Sequence, residues 1–445
     1  MGADGQQARL LAKPEKGYHL FKPTWFPSGK RILYGKWRNA EGRTTLALES
    51  RDLNGGAPVE LVSNPRLTDF CWGRAGRLIY TVGEPPPNQY DSNLWQLRLD
   101  PDSGRSQGIP RRLTDWTGFS FSDPELTADG KRMVFLNDHA QSDVYLGELA
   151  NSGADLKPLQ RLTLDERIDW PGGWSLDGKT VLLYSNRNRS FDIYKQGVAE
   201  RTADVIVSGP QEKWAPQISP DGKWVIYMEW PKVAEGTALT SGKLMRAPLG
   251  GGPPEAIMEI KGHPGTQDSP FVQETVGGFP SFRCPAHATA CVLAEADERQ
   301  VVFSSFDPVQ GRKGELAKVQ TVPVFANWDL SPDGTRVALS AYDSRAGDIQ
   351  VITLAGGATQ KFSVLPWTQV PAVAWAADGK SLFFTSYSSR GTTILRTGLD
   401  GHAKALAKSG SDIFSVFPSP DGRRLAVGMV ITNSNAWTIP SFPSD

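Results

Sequence analysis

The stretch GWSLDGKTVLLY, residues 173–184, decides the fold because its first eight residues admit two opposite interpretations. They match the phosphate-loop pattern G-x-x-x-x-G-K-[ST], which binds a nucleotide only when a strand precedes the loop and a helix follows it. The residues after Thr180 are β-branched and aromatic without helical spacing, so they predict a strand. Asp177-Gly178 is a favoured turn between antiparallel strands. We therefore interpret the octet as a β-hairpin and predict no bound nucleotide.

Altered copies of the octet occur along the chain and favour the hairpin interpretation. They include ISPDGKWVIY (218–227), LSPDGTRVAL (330–339), WAADGKSLFF (375–384) and PSPDGRRLAV (418–427). The turn aspartates of the repeat are Asp129, Asp177, Asp221, Asp333, Asp378 and Asp421. Aspartate at the first turn position accepts hydrogen bonds from nearby backbone amides, so we assign these carboxylates to turns and not to an acid–base pair.

The repeat predicts an all-β chain that forms a single closed β-propeller over residues 1–445. Its units begin near residues 21, 67, 121, 169, 213, 278, 325, 370 and 413. Four short strands follow in almost every unit, which is typical of a propeller blade. We expect nine blades, or eight if the degenerate unit near 278 is an insertion. The segment ARLLAK (8–13) would complete the last blade and close the ring.

Tryptophans recur beside the turns at equivalent positions of the units. They are Trp25, Trp72, Trp174, Trp328 and Trp375. Periodic aromatic residues of this kind are typical of the core between blades, so we expect them to be buried.

Charge and motif content exclude several functional classes. Lysine plus arginine equals aspartate plus glutamate at 48 each, which predicts no nucleic-acid partner. No signal peptide and no long apolar run is present, so we expect no membrane insertion by this chain. No G-x-S-x-G elbow occurs, and His19, His139, His263, His287 and His402 lack metal-binding spacing. We therefore predict no catalytic residue, no cofactor and no metal.

Irregular insertions between strands are the candidate binding surface, because loops on a rigid scaffold carry function. Three stand out, at residues 83–93, 230–243 and 262–278. Their candidate contact residues are Tyr90, Trp230, His263, Gln267 and Phe271. The third loop is long and carries little charge, so it is the first choice for a contact with a protein or a small ligand.

The three cysteines are too few for a disulfide framework. Cys71 lies in an apolar strand and is expected to be a small buried residue. Cys284 and Cys291 flank the loop PAHATA. They are either reduced core residues or a disulfide across a hairpin, and the disulfide would imply an oxidising compartment.

The core SPDGK, followed by D-I-Y or D-V-Y and a terminal L-T, resembles the WD40-like repeat of TolB-type propellers. It also resembles the propeller that precedes the catalytic domain of prolyl-oligopeptidase-type hydrolases. Four longer segments are similar to the carboxyl-terminal propeller of bacterial, notably acidobacterial, transmembrane regulators. In those proteins the propeller follows a serine/threonine kinase or winged-helix domain. The segments are residues 162–196, 244–255, 306–319 and 432–442.

This resemblance implies a non-catalytic sensory or scaffold module that binds a protein or a small ligand. We expect a monomer or a part of a larger membrane-anchored protein. The resemblance implies an extracytoplasmic location if the chain is attached to a membrane regulator, and a cytoplasmic one otherwise. Two alternatives remain open, namely an enzyme of lyase or hydrolase type with its active site at the propeller mouth, and a TolB-like envelope adaptor.

Overall fold

Consecutive antiparallel strands build most of the sheets of this protein. The computed structural model describes residues 10–40, 43–73, 76–85, 91–188, 190–231, 241–261, 279–286, 290–296, 300–320, 326–341 and 347–442. Second strands such as TVLLYS (180–185) and SLFFTSYS (381–388) are almost continuously buried, and the turns between first and second strands carry Asp-Gly or similar pairs, as expected for hairpins inside a layered β-structure. No helix among these described residues is long and apolar enough to cross a membrane.

The strands are numbered in chain order. Those of the first part are β1 (His19–Trp25), β2 (Arg31–Ala40), β3 (Arg43–Asp52), β4 (Val59–Ser63), β5 (Leu67–Trp72), β6 (Arg77–Gly83), β7 (Ser92–Leu99), β8 (Ser106–Arg112), β9 (Phe121–Leu126), β10 (Met133–Ala150), β11 (Asp155–Leu156) and β12 (Gln160–Arg161). The next are β13 (Asp169–Trp174), β14 (Thr180–Ser185), β15 (Asp192–Gly197), β16 (Asp204–Val207), β17 (Glu212–Ile218), β18 (Trp224–Trp230), β19 (Ser241–Pro248), β20 (Glu255–Lys261), β21 (Ser281–Arg283), β22 (Cys291–Ala296), β23 (Val301–Asp307) and β24 (Gly311–Val319). The last are β25 (Ala326–Leu330), β26 (Arg336–Ala341), β27 (Asp348–Thr353), β28 (Thr359–Ser363), β29 (Val373–Trp375), β30 (Ser381–Ser388), β31 (Gly391–Gly398), β32 (Ala403–Ser409), β33 (Asp412–Pro418) and β34 (Arg424–Ile439).

The chain divides into two compact units. The described part of the first unit comprises residues 10–140 and 432–442, and that of the second comprises residues 141–231 and 241–431. The first half of β10 belongs to the first unit and its second half to the second unit. The first half of β34 belongs to the second unit and its second half to the first unit. A short 3-10 turn, Asn151–Gly153, connects β10 to β11.

The first unit contains two four-stranded sheets, β1–β4 and β5–β8, together with β9 and the first half of β10. The end of the chain returns to this unit, where the backbone N–H of Phe442 donates to the carbonyl of Lys131. The Phe442 ring packs in an apolar cluster with Phe121 and Met133. The third group of strands in this unit is therefore assembled from two distant parts of the sequence.

The second unit contains six sheets that close on one another. Five are consecutive, β13–β16, β17–β20, β21–β24, β25–β28 and β29–β32. The sixth joins β33 and the first half of β34 to the second half of β10, with β11 and β12 outside. Apolar clusters fill the spaces between neighbouring sheets. The sixth sheet also packs against the first, through Val144, Trp174 and Ala426.

The predicted closing strand at residues 8–13 differs from this arrangement. Residues 10–13 belong to no strand, and residues 8 and 9 lie outside the described chain. The outer strands of the sixth sheet come from residues 141–161 instead. Residues 134–146 and 429–439 contain no glycine or proline that would turn the chain back, so β10 and β34 continue as long strands and can pair with each other.

The first strands of the nine predicted units begin at His19, Leu67, Phe121, Asp169, Glu212, Ser281, Ala326, Val373 and Asp412. The degenerate unit near 278 forms the four-stranded sheet β21–β24, so it is not an insertion. The described strands form eight sheets in all, so the number of blades, nine or eight, stays a prediction.

The expected burial of the recurrent tryptophans holds for Trp174, Trp328 and Trp375, but it is wrong for Trp25. Trp25 is 59% exposed, whereas the next residue, Phe26, is buried in the core. Successive side chains of an extended chain point to opposite faces of a sheet. The inward-facing position lies one residue later than the sequence predicted, so Phe26 is inside and Trp25 is outside. Cys71 is a buried free thiol.

The octet at residues 173–180 spans the end of β13, a turn and the start of β14. Gly178 has φ +66°, which favours glycine, and its N–H donates to the carbonyl of Ser175 at 3.0 Å. No helix N-terminus follows Lys179, since β14 begins at Thr180. The sequence therefore lacks the structural context of a phosphate loop here.

Closure of the ring predicts a strong effect of one side chain in the outer part of the sixth sheet. Val144→Ala should lower the free energy of unfolding by about 2 kcal/mol, because Val144 is fully buried between the sixth and first sheets. Urea unfolding measures this change. Val205→Ala, at an exposed position of β16, is the matched control and should change it by less than about 0.5 kcal/mol. Equal effects of the two substitutions would contradict this closure.

Candidate functional site

The first strands of the six sheets surround a cavity at the centre of the second unit. Its volume is about 160 Å³, and each of β13, β17, β21, β25, β29 and β33 contributes lining residues. The polar side chains of the lining include Gln217, Arg283, Asn327, Asp329 and Ser415. Residues of the hairpin turns, such as Leu176, Pro332 and Ala377, line the same cavity. The cavity therefore adjoins the turns between first and second strands.

Glycine is needed where the first strands of neighbouring sheets meet. A Cβ atom on Gly172 would lie 2.4 Å from Cδ of Pro216, and one on Gly173 would lie 3.2 Å from the Pro216 carbonyl oxygen. Both first strands also carry a register shift at this level, between Pro171 and Gly173 and between Trp214 and Gln217. Such bulges bend a strand and change the direction of its side chains.

Arg283 and Asp329 form the charged pair of the cavity. Arg283 Nε donates to Asp329 Oδ1 at 3.1 Å, and the two side chains are 18% and 19% exposed. The other carboxylate oxygen accepts the backbone N–H of Trp375 at 2.7 Å. Burial raises the pKa of Asp329 above its usual value, while the charge of Arg283 acts in the opposite direction. Through its hydrogen bonds to Arg283 and Trp375, the Asp329 carboxylate of the fourth sheet connects the third and fifth sheets.

Main-chain carbonyls and aromatic rings fix the guanidinium group further. Nη1 donates to the carbonyl of Phe282 at 2.9 Å, and Nη2 donates to that of Trp328 at 3.1 Å. The guanidinium lies 5.2 Å from the ring centre of Trp328 and 6.0 Å from that of Phe417. Phe417 belongs to the sixth sheet. Arg283 therefore extends from the third sheet to an aromatic side chain of a sheet on the opposite side of the cavity.

Gln217 connects the second sheet to the third. Its Nε2 donates to the carbonyl of Phe282 at 2.9 Å, and its Oε1 accepts the backbone N–H of Cys284 at 2.7 Å. Cys284 is joined to Cys291 by a disulfide with an S–S distance of 2.02 Å and a Cα–Cα distance of 4.4 Å. Cys284 also lines the cavity. The disulfide therefore ties together the two ends of the loop that follows Arg283.

Two buried polar atoms of the lining residues have no hydrogen-bond partner within the described chain. They are Oγ of Ser415 and Nε1 of Trp375. In contrast, Nε1 of Trp174 donates to the carbonyl of Phe417 at 2.8 Å. An unpaired buried polar atom costs free energy, and such atoms are usually satisfied by water or by a ligand.

A second charged cluster lies where β13 begins. Arg187 Nη2 is 2.7 Å from Asp169 Oδ1 and 2.9 Å from Asp165 Oδ2, and its guanidinium lies 4.7 Å from the ring centre of Tyr194. Asp169 is fully buried. Burial raises the pKa of Asp169 to about 6, although Arg187 lowers it. The sequence analysis did not single out this cluster, because it joins residues of β13 to the loop after β14.

Of the candidate contact residues of the sequence analysis, Trp230 lies in the described chain, and it is not among the residues that line the central cavity. Trp230 was predicted to lie on a binding loop, but it is fully buried at the end of β18. Its ring packs against Trp214, and Gly242 leaves room for it. The interpretation of Trp230 is therefore wrong, since its side chain fills the core. Tyr90, His263, Gln267 and Phe271 lie outside the described residues.

The turn aspartates occupy separate turns and do not converge. Each accepts the backbone N–H of the residue two positions further on, at distances from 2.8 to 3.2 Å. The residues are Asp129, Asp177, Asp221, Asp333, Asp378 and Asp421. Hydrogen bonds from the Ser175 hydroxyl and the Lys179 N–H lower the pKa of Asp177. Within the described chain, no three histidine, cysteine, aspartate or glutamate residues are placed to hold a metal ion.

No family model matches the chain, and no curated protein sequence matches it. Among similar solved structures, a putative TolB from Agrobacterium tumefaciens has 16% identity and a TM-score of 0.42, over 66% of this chain and 99% of that one. TolB from Acinetobacter baumannii has 18% identity and a TM-score of 0.28, over 66% and 64%. An oligogalacturonate lyase from Vibrio parahaemolyticus has 12% identity and a TM-score of 0.38, over 68% and 76%.

The raised pKa of Asp169 predicts a pH dependence of stability. The usual pKa of this group is 3.8 and its folded value is about 6, so its contribution to the free energy of unfolding falls as the pH rises through that interval. The loss amounts to about 3 kcal/mol. In urea unfolding, the wild-type value minus that of Asp169→Asn should therefore decrease by this amount between about pH 4 and pH 7.

Asp204→Asn, at an exposed position of β16, serves as the control for a surface carboxylate. If the free energy of unfolding of wild type minus that of Asp169→Asn increases with pH, the ion pair with Arg187 outweighs the effect of burial on the pKa of Asp169.

Proposed function

We propose that the second unit is a non-catalytic binding module whose ligand site is the central cavity. The observation that carries this proposal is the placement of Arg283, Gln217, Asn327 and Ser415, from four different sheets, around one cavity. Pockets with apolar walls and a few converging polar groups are the usual form of small-ligand sites. The walls here include Leu330, Val373 and Val416, and the polar groups named above would orient the ligand.

The rigidity of the ring supports a role in recognition. Arg283 is fixed by one carboxylate, two main-chain carbonyls and two aromatic rings. A side chain that is held in place before a ligand arrives loses little conformational freedom on binding. We further propose a sensory or scaffold role in a bacterial signalling protein. The sensory or scaffold role is supported by the likeness of the repeat segments to the propellers of bacterial regulators. A TolB-like adaptor, the alternative role, would use the same site.

The competing proposal is an enzyme whose active site lies at the mouth of the propeller. Among the described residues, Asp329 is the carboxylate that lines the cavity, and it already accepts hydrogen bonds from Arg283 and from the backbone of Trp375. A general acid or base must reach the proton that it transfers, and this aspartate is engaged with the protein. That engagement favours the binding module over the enzyme.

A thermal-shift screen with a blocked cavity tests the binding proposal. Ala377→Trp places a large ring beside the turns that line the cavity, and Ala358→Trp places the same ring on an exposed loop before β28. A ligand that occupies the cavity should raise the melting temperature of wild type and of Ala358→Trp, but not that of Ala377→Trp. The screen would cover organic acids, sugars, peptides and nucleotides.

Three results would count against the proposal. Stabilisation of both tryptophan variants by every ligand found would place the site elsewhere. Turnover of a stabilising ligand would favour the enzyme. Stabilisation by no compound class would remove the support for a small-ligand site.

A further inference from the structure

We infer that the central cavity binds the carboxylate group of its ligand, and that Arg283 is the residue that binds it. This inference rests on the proposed function, because it specifies the chemistry of the same site. It follows from counting which hydrogen-bond donors and acceptors of the cavity are already used within the protein.

The acceptor atoms of Asp329 and Gln217 already receive hydrogen bonds within the protein. Asp329 accepts from Arg283 Nε and from the backbone N–H of Trp375, and the backbone N–H of Leu330 also donates to it. Gln217 uses both ends of its amide, towards Phe282 and Cys284. A ligand that needs to donate hydrogen bonds therefore finds few open acceptors on these two side chains.

The donors, in contrast, are in excess. A guanidinium group has five N–H bonds, and three of those of Arg283 have acceptors, namely Asp329, the Phe282 carbonyl and the Trp328 carbonyl. Because each terminal nitrogen makes one of these bonds, each retains one N–H. The hydroxyl of Ser415, which can either donate or accept, is also buried without a partner in the described chain. The lining thus offers several donors to a ligand that accepts hydrogen bonds.

A carboxylate suits these donors better than a neutral acceptor does. Arginine binds carboxylates through two N–H bonds, and charge-assisted bonds are roughly twice as strong as neutral ones. Asp329 accepts from Nε and the two carbonyls accept one N–H from each terminal nitrogen, which leaves one N–H on each terminal nitrogen for the ligand. The Trp328 and Phe417 rings contact the guanidinium and limit its access to water. The cavity of about 160 Å³ has room for a small organic acid or for the end of a peptide.

The first test compares an acid with its neutral isostere on the intact chain. Isothermal titration is carried out with phenylacetate and phenylacetamide, and with N-acetyl-Ala-Ala-Phe that has either a free carboxylate or a carboxamide end. We expect at least one acid to bind roughly tenfold or more tightly than its amide, since a hydrogen bond to a charged group contributes about 1.5–3 kcal/mol. Binding of phenylacetate identifies a small acid as the source of the carboxylate, and binding of the peptide acid alone identifies a chain terminus.

The second test uses variants of two arginines in the same sheet. Arg283→Gln should weaken binding of the acid roughly tenfold or more and remove its preference over the amide. Arg283→Lys, which keeps the charge, should lose less affinity. Arg312→Gln is the matched control, because Arg312 pairs with Glu295 at an exposed position of β24. It should leave the affinity unchanged.

The outcomes separate this inference from the proposed function. If acid and amide bind wild type equally and Ala377→Trp abolishes both, the cavity is a ligand site but the carboxylate inference is wrong. If the acids do not bind while another ligand binds in a manner that Ala377→Trp abolishes, the inference also fails. If no ligand is sensitive to Ala377→Trp, both fail. The affinities of the acid and the amide for wild type test the carboxylate inference even if Arg283→Gln does not fold.

Discussion

The pairing of β10 with β34 is the interaction on which the second unit depends. Without it, the sixth sheet would consist of β33 and half of β34, and a two-stranded ribbon is at best marginally stable in water. The apolar face of Trp174 and Val181 on the first sheet would also lose Val144 as a neighbour. The central cavity exists only because the ring is closed, so a long-range strand pairing determines where the polar groups meet.

The same ring geometry explains the character of the site. First strands converge at the centre of a propeller, and their close approach requires glycine at Gly172 beside Pro216. Where more space is left, longer side chains enter, and Arg283 extends from the third sheet towards Phe417 of the sixth. The protein satisfies this charge with one carboxylate and two carbonyls, which fixes the direction of the guanidinium before any ligand is present.

Local sequence patterns predicted the strands and the turns well, because these depend on neighbouring residues. Asp177-Gly178 predicts its hairpin from two residues, and the apolar alternation after Thr180 predicts β14. The closure was not predictable in this way, since residues 141–161 and 412–431 are far apart in the chain and nothing in either segment identifies its partner. Phe26 lies in the core instead of Trp25, although Trp25 precedes its turn glycine by the same four residues as the buried Trp174, so the alignment of the turns did not predict this difference. Arg283 was missed since its unit lacks the Ser-Pro-Asp-Gly turn, and its partner Asp329 lies in the next repeat.

The course of β10 and β34 through both units has a consequence for folding during translation. All segments of the second unit have been synthesised once residue 431 has left the ribosome, whereas the first unit still lacks residues 432–442. Its cluster around Phe121 and Met133 stays incomplete until Phe442 arrives. Because domains generally fold as units as they emerge, the part of the chain made first is completed last. This cluster therefore lacks Phe442 throughout the synthesis of the nearly three hundred intervening residues, from 141 to 431.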